Sequence, residues 1–279
     1  MTPINKTLQG PACVAPPTKR RWGLAGALTL FASLMGVGGP NKATAAEPAK
    51  PADALPRSPV VLELFTSEGC SSCPPADALL SQLDAQGDVG GAPLIAMELH
   101  VDYWNYLGWR DPFSAEDYTQ RQVRYTNWLG TRNYTPQLVV DGQTDVLGSS
   151  RGGATAAVTA SAKRPSQAAV QLKRQGDALM VQVSAPTKPQ GAAVLLAITE
   201  SGLSTKVLRG ENGGQTLHHA PVVRLLKNLG TVRGDSYSGQ IPLRLDAAWK
   251  ADALRAVVMV QSESDGRILG AGVLPLNKK

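Results

Sequence analysis

Apolar residues fall into two textures along the chain, compact runs before residue 165 and short alternating runs after it. Residues 60–65 and 94–101 are mostly apolar stretches with β-branched residues, interrupted by Glu63 in the first and by Glu98 and His100 in the second, the pattern of largely buried strands. Residues 76–83 set Leu79, Leu80 and Leu83 at helical spacing. Residues 114–129 carry a partial helical stripe of Tyr118, Val123, Tyr125 and Leu129. Residues 137–140 and 144–147 predict two strands joined by a turn at Asp141-Gly142, a dipeptide suited to tight hairpins. Residues 152–163 are Ala-rich and predict a helix. The predicted order is β-α-β-α-β-β-α.

Beyond residue 165, alternating runs appear at 169–172, 179–184, 193–199, 239–245, 256–261 and 268–274. Gly, Pro, Asn and Asp separate them, and Ser264-Asp265-Gly266-Arg267 suits a hairpin turn. This spacing predicts an antiparallel β-sandwich. The expected organisation is an α/β domain over residues 59–164 followed by a β-rich C-terminal domain over residues 165–279.

The N-terminus changes the reading of the charge. Lys19-Arg20-Arg21 precedes an apolar run over residues 22–37, and Ala43-Thr44-Ala45-Ala46 follows it. This is the layout of a secretory signal peptide over residues 1–45, cleaved near Ala45, with a membrane anchor as the alternative outcome. The Pro/Ala-rich residues 46–58 read as a flexible leader. The whole chain has a formal net charge of +6. Residues 1–45 hold five basic residues (Lys6, Lys19, Arg20, Arg21, Lys42) and no acidic one, which leaves 23 basic against 22 acidic side chains. That balance argues against a nucleic-acid partner. A periplasmic or secreted protein with no stable membrane insertion after cleavage is expected.

Signal removal also takes Cys13, so Cys70 and Cys73 are the two remaining thiols. They are spaced CxxC, and Pro74-Pro75 follows. Proline is tolerated in the first turn of a helix, so the pair should sit at a helix N-terminus. There the helix dipole and free N–H groups favour a thiolate. Cys70 is the expected attacking thiol and Cys73 the resolving one. A static local disulfide remains an alternative. A zinc knuckle needs a second Cys/His pair, and none has suitable spacing.

Tyr134-Thr135-Pro136 lies directly before the strand at 137–140. In a thioredoxin fold that position holds a cis-proline beside the two sulfurs, where it fixes the turn and removes a donor. Thr135 and Pro136 are therefore candidate substrate-binding residues, and Trp104, from the aromatic-rich segment between Tyr103 and Tyr134, is a third.

Residues 64–75 (Leu-Phe-Thr-Ser-Glu-Gly-Cys-Ser-Ser-Cys-Pro-Pro), with His100-Val101-Asp102-Tyr103-Trp104 and Tyr134-Thr135-Pro136-Gln137, resemble a family of secreted, thioredoxin-like bacterial proteins of unknown function. The similarity extends to Leu217-His218-His219-Ala220-Pro221-Val222-Val223-Arg224 and so runs through nearly all of the chain after residue 45. It implies a thioredoxin-like fold and export, and no substrate. Classical thioredoxins differ in three respects. They carry Trp before the first cysteine, where this chain has Gly69. They have Gly-Pro between the cysteines, where this chain has Ser71-Ser72. They place a buried acid six residues before the first cysteine, where this chain has Leu64.

Glu63, one residue away, should face the other side of its strand. It is a candidate tuning group for the thiols, or the member of a structural ion pair. Glu98, His100 and Asp102 share one strand face by alternation. His100 is a second candidate tuning group, with a hydrogen-bonded core histidine as its alternative. Nine of the 14 aromatic residues lie between Tyr103 and Tyr134 and serve either a core or an extended ligand. Arg110-Asp111-Pro112, Arg121 and Arg124 read as solvated or capping groups. His218-His219 reads as structural, and no metal site or cofactor is assigned.

The function expected from these residues is thiol–disulfide exchange with protein or small-molecule thiols and disulfides. Two alternatives stand beside it: a non-catalytic binding module with a structural disulfide, and a Cu(I)-handling protein using Cys70, Cys73 and His100.

Overall fold

The computed structural model describes residue 55 and residues 57–277. The expected signal peptide and its cleavage point, and most of the expected leader, lie outside these residues. The first half runs β1 (Val60–Thr66), α1 (Pro74–Gln86), β2 (Asp88–Val89), β3 (Ala92–His100), α2 (Glu116–Leu129), β4 (Gln137–Val140), β5 (Thr144–Leu147) and α3 (Arg151–Ala162). The second half contributes β6 (Ala169–Gln175), β7 (Ala178–Ser184), β8 (Ala192–Glu200), β9 (Ser204–Lys206), β10 (Thr216–His218), β11 (Val222–Thr231), β12 (Ser236–Pro242), β13 (Leu254–Ser262) and β14 (Ile268–Pro275). No helix among the described residues is long and apolar enough to cross a membrane.

Local chemistry accounts for the first-half elements. Pro74 and Pro75 occupy the opening of α1, where their missing N–H groups cost nothing, and Gly87 at φ 74° ends it. α2 carries Glu116 and Asp117 in its first turn, complementing the helix dipole, and ends at Gly130 with φ 64°. The β4–β5 hairpin turns at Asp141 and Gly142, both at positive φ, as Asp-Gly turns require.

The strands assemble differently from two separate bodies. One nine-stranded sheet has the order β14-β13-β8-β11-β3-β1-β4-β5, with β2 paired to β3. Within it β1 and β3 are parallel, β1 and β4 antiparallel, and β4 and β5 antiparallel. Four strands of the second half thus extend the sheet of the first, where the sequence texture suggested an independent sandwich. The join is β11, which pairs antiparallel with β8 and meets β3 in parallel at Val222 and Glu98. A sandwich-like layer does exist. β12, β7 and β6 form a three-stranded sheet, and its Leu179, Val181 and Val183 share a core with Val194, Leu196, Ile198, Val258 and Val260 of the large sheet. The other face of those large-sheet strands is also covered. Ala197, Val257 and Met259 pack with Phe65, Met97, Leu99 and Tyr125 in a core drawn from both halves. Burial on both faces explains why β8 and β13 are apolar without clean alternation.

Register fixes which side chains share a face. β1 and β3 align Leu64 with Glu98 and Thr66 with His100. Leu64 packs in the core beneath α1 with Ala76, Leu79 and Leu80. By alternation Thr66, Glu98 and His100 lie on that same side, under the start of α1. Glu63 and Phe65 lie on the opposite side.

Candidate functional site

Cys70 and Cys73 form a disulfide whose Cα atoms are 5.5 Å apart. Cys73 is the N-cap of α1, and its N–H donates to the carbonyl of Cys70 at 3.1 Å. Both cysteines are buried, at 1% and 0% exposure, while Ser71 and Ser72 between them are exposed. The Thr135–Pro136 peptide bond is cis. Thr135 Oγ1 donates to Cys70 Sγ at 3.3 Å and accepts from Trp104 Nε1 at 2.8 Å. A Cβ added at Gly69 would come within 3.0 Å of Trp104 Cβ. The residue before Cys70 is therefore glycine where Trp104 crosses over it. Three residues far apart in sequence, Cys70, Trp104 and Thr135, meet at one point.

A loop from the second half closes over this point. Asn212, 1% exposed, donates through Nδ2 to the carbonyls of Glu68 and Cys70 at 2.9 and 3.0 Å. Glu211 Oε2 accepts from the Ser71 N–H at 3.0 Å. Neither residue carries a sequence signal, because they reach the cysteines only through the chain's return across the sheet.

Below the disulfide lies a buried polar cluster. Asp77, one helical turn after Cys73, accepts from Thr66 Oγ1 at 2.7 Å. Burial, reinforced by the charge of Glu98, pushes its carboxyl up to about 8. His100 Nδ1 lies 2.7 Å from Asp111 Oδ2. His219 Nε2 lies 3.1 Å from Glu68 Oε1. Trp109 Nε1 donates to Glu68 Oε2 at 2.7 Å, and the Ala220 N–H donates to Glu98 Oε1 at 2.8 Å. Burial works against charge on both imidazoles. The surrounding carboxylates outweigh it, raising His219 to about 9 through Glu68 and Glu98 and holding His100 well above its ordinary value through Asp111 and Glu98. Burial likewise opposes ionisation of Glu98, but the two imidazoles hold it below its ordinary value.

The candidate tuning groups separate. Glu63 accepts two bonds from Arg121, at 2.5 Å to Nε and 2.9 Å to Nη2, and a third from the Tyr125 hydroxyl. Arg121 also donates to Gln261 Oε1 at 3.1 Å. This network lies on the sheet face opposite Leu64 and Thr66. Arg121 and Asp111, expected as solvated or capping groups, are buried at 1% and 2% exposure, and Asp111 Oδ1 accepts from the Phe113 N–H at 2.9 Å. Glu63 and His100 need partners inside the sheet, and periodicity does not show which strand face will be covered. His100 faces Glu98, Asp111 and the ring of His219, whose centroid is 5.1 Å away. Asp102, beyond the end of β3, accepts from Thr119 Oγ1 at 2.6 Å. Glu68, Asp77 and Asn212 were missed as site residues. Two of them carried a signal: Glu68 stands two residues before Cys70, and Asp77 is spaced i+4 from Cys73.

Together these features define a mixed-sheet α/β protein with a CxxC disulfide at a helix N-terminus, set against a cis-proline above a buried histidine–carboxylate cluster. Residues 61–261 match the family described as Protein of unknown function (DUF1223), and the chain belongs to that family. Among solved structures it is similar to protein AGR_C_4864 from Agrobacterium tumefaciens, at 29% identity and a TM-score of 0.65, over 81% of this chain and 98% of that one. It is also similar in fold to HBP35 of Porphyromonas gingivalis, at 17% identity and a TM-score of 0.59, over 80% of this chain and 76% of that one. No curated protein matches the chain.

Proposed function

We propose that this protein is a thioredoxin-like thiol–disulfide exchange protein working through Cys70 and Cys73. The observation that carries the reading is the disulfide at the α1 N-terminus with Thr135 Oγ1 3.3 Å from Cys70 Sγ, beside the cis Thr135–Pro136 bond. In the oxidised form a substrate thiolate attacks Cys70 Sγ and expels Cys73 as a thiolate. The substrate's second thiolate then attacks its own sulfur in the mixed disulfide and releases Cys70. Two electrons and two protons pass from a substrate dithiol to the cysteine pair, and the substrate leaves as a disulfide; the reverse sequence reduces a substrate disulfide. The helix N-terminus favours the thiolate formed at each step. The export expected from residues 1–45 would put this chemistry in a compartment where disulfides persist.

Burial of both sulfurs favours a second reading, a static bridge. Redox titration against glutathione, with exchange followed on a dithiol peptide, separates the two. Exchange lost in both Cys70→Ser and Cys73→Ser supports the first reading. A potential below about −300 mV with no exchange refutes it.

A further inference from the structure

Three buried atoms of the polar cluster have no hydrogen-bond partner: Glu98 Oε2, His100 Nε2 and His219 Nδ1. Buried polar atoms are nearly always paired, so three orphans in one place require a cause. They face one another. Glu98 Oε2 is 3.5 Å from His100 Nε2 and 3.5 Å from His219 Nδ1, and all three lie within 4.8 Å of each other. The three residues are 0%, 1% and 7% exposed.

We propose that Glu98 Oε2, His100 Nε2 and His219 Nδ1 are the protein ligands of a divalent transition-metal ion of the zinc type, with a further position left for a water. Two atoms bound to zinc at about 2.0–2.1 Å with a tetrahedral angle stand roughly 3.3–3.4 Å apart, close to the two spacings seen. One carboxylate and two imidazoles are a set that borderline divalent ions favour.

The outer partners fit as well. A metal-bound histidine ordinarily gives its other ring N–H to a carboxylate, which fixes its orientation. His100 Nδ1 faces Asp111 at 2.7 Å, and His219 Nε2 faces Glu68 at 3.1 Å. The free oxygen of Glu98 accepts from the Ala220 N–H. Phe113 packs edge-on against both imidazoles, at 5.4 and 5.3 Å between centroids, and shields them.

Charge balance points the same way. Glu68, Glu98 and Asp111 converge on this spot, and a divalent ion offsets their charge with both histidines neutral. The site would tie β3 to the segment leading into β11, the join between the two halves of the sheet. It involves neither sulfur, so it stands or falls apart from the exchange reading.

The test uses the full chain, stripped with a chelator and titrated with Zn²⁺ and Co²⁺ against a chromophoric competitor. One ion per chain is expected, with no change in Cys70→Ser/Cys73→Ser. Glu68→Gln and Asp111→Asn keep the ligands and should each weaken binding about 10- to 100-fold. His219→Ala should lose at least as much. The unsubstituted protein gives an independent reading should His219→Ala fail to fold. With Co²⁺ bound, proton NMR should show two strongly shifted, exchangeable imidazole N–H signals. A folded wild-type chain that binds neither ion, or binding undiminished in Glu68→Gln and Asp111→Asn, overturns the proposal.

Discussion

Arg121→Leu is the sharpest test of what holds the two halves of the sheet together and of where Glu63 belongs. Arg121, 1% exposed, donates to Glu63, Gln261 and Tyr125, and so links α2 to β1 and β13. Truncation removes all four of its bonds and leaves the Glu63 carboxylate buried with the Tyr125 hydroxyl as a remaining donor. Removing one member of a buried ion pair costs about 3–5 kcal/mol, because the other charge stays desolvated. For a domain of this size that corresponds to a fall in Tm of about 6–20 °C. Glu63→Leu/Arg121→Leu removes both charges. Gln261 Nε2 still holds the Tyr125 hydroxyl and the Gly266 carbonyl, at 2.9 and 2.7 Å. The double variant should therefore cost several kcal/mol less than the sum of the two single changes. Urea unfolding of the four oxidised chains measures this cycle. Additive losses, or an Arg121→Leu cost under about 1 kcal/mol, would refute the account. A corollary concerns chemistry: Glu63→Gln should leave the exchange rate close to wild type, since Glu63 faces away from the cysteines.

Further expectations follow from single contacts. Thr135→Val keeps the side-chain shape but removes the bond to Cys70 Sγ and strands the Trp104 N–H; a stability loss of about 1–3 kcal/mol and slower peptide exchange should follow, read by chemical denaturation and stopped-flow fluorescence. Asn212→Ala releases the carbonyls of Glu68 and Cys70, so the disulfide should be reduced faster by a small thiol; an unchanged rate would mean that this loop does not govern access. Burial raises the Asp141 carboxyl despite its bonds from Ser161 and the Val61 N–H. The folded chain then holds that proton more tightly than the unfolded one, so this group's contribution to stability falls as pH rises from the ordinary carboxylate range through the raised value. Asp141→Asn suits the positive φ and can keep both partners, and it should stabilise the protein near neutral pH while flattening that slope in thermal melts. An unaltered slope would count against it.

The sequence by itself determined the local elements around the cysteines. Pro74-Pro75 starts α1, Asp141-Gly142 turns the β4–β5 hairpin, and the apolar run at 60–65 makes a covered strand, because each depends on backbone chemistry within a few residues. Alternation also put Glu98 and His100 on one face. β11 was not legible: Arg224, Lys227 and Asn228 interrupt its pattern, and only Val222 and Val223 at its start are fully buried. That one strand decides that the second half extends the first half's sheet, since sheet membership is set by long-range pairing. Arg121 and Asp111 read as solvated or capping groups, and their burial was not legible for the same reason: burial of a charge depends on partners that lie elsewhere in the chain, here Glu63 and His100. The tertiary structure alone brought His219 to His100 and Asn212 to Cys70. Side chains more than a hundred residues apart carry no shared periodicity, and only the folded sheet places them in contact.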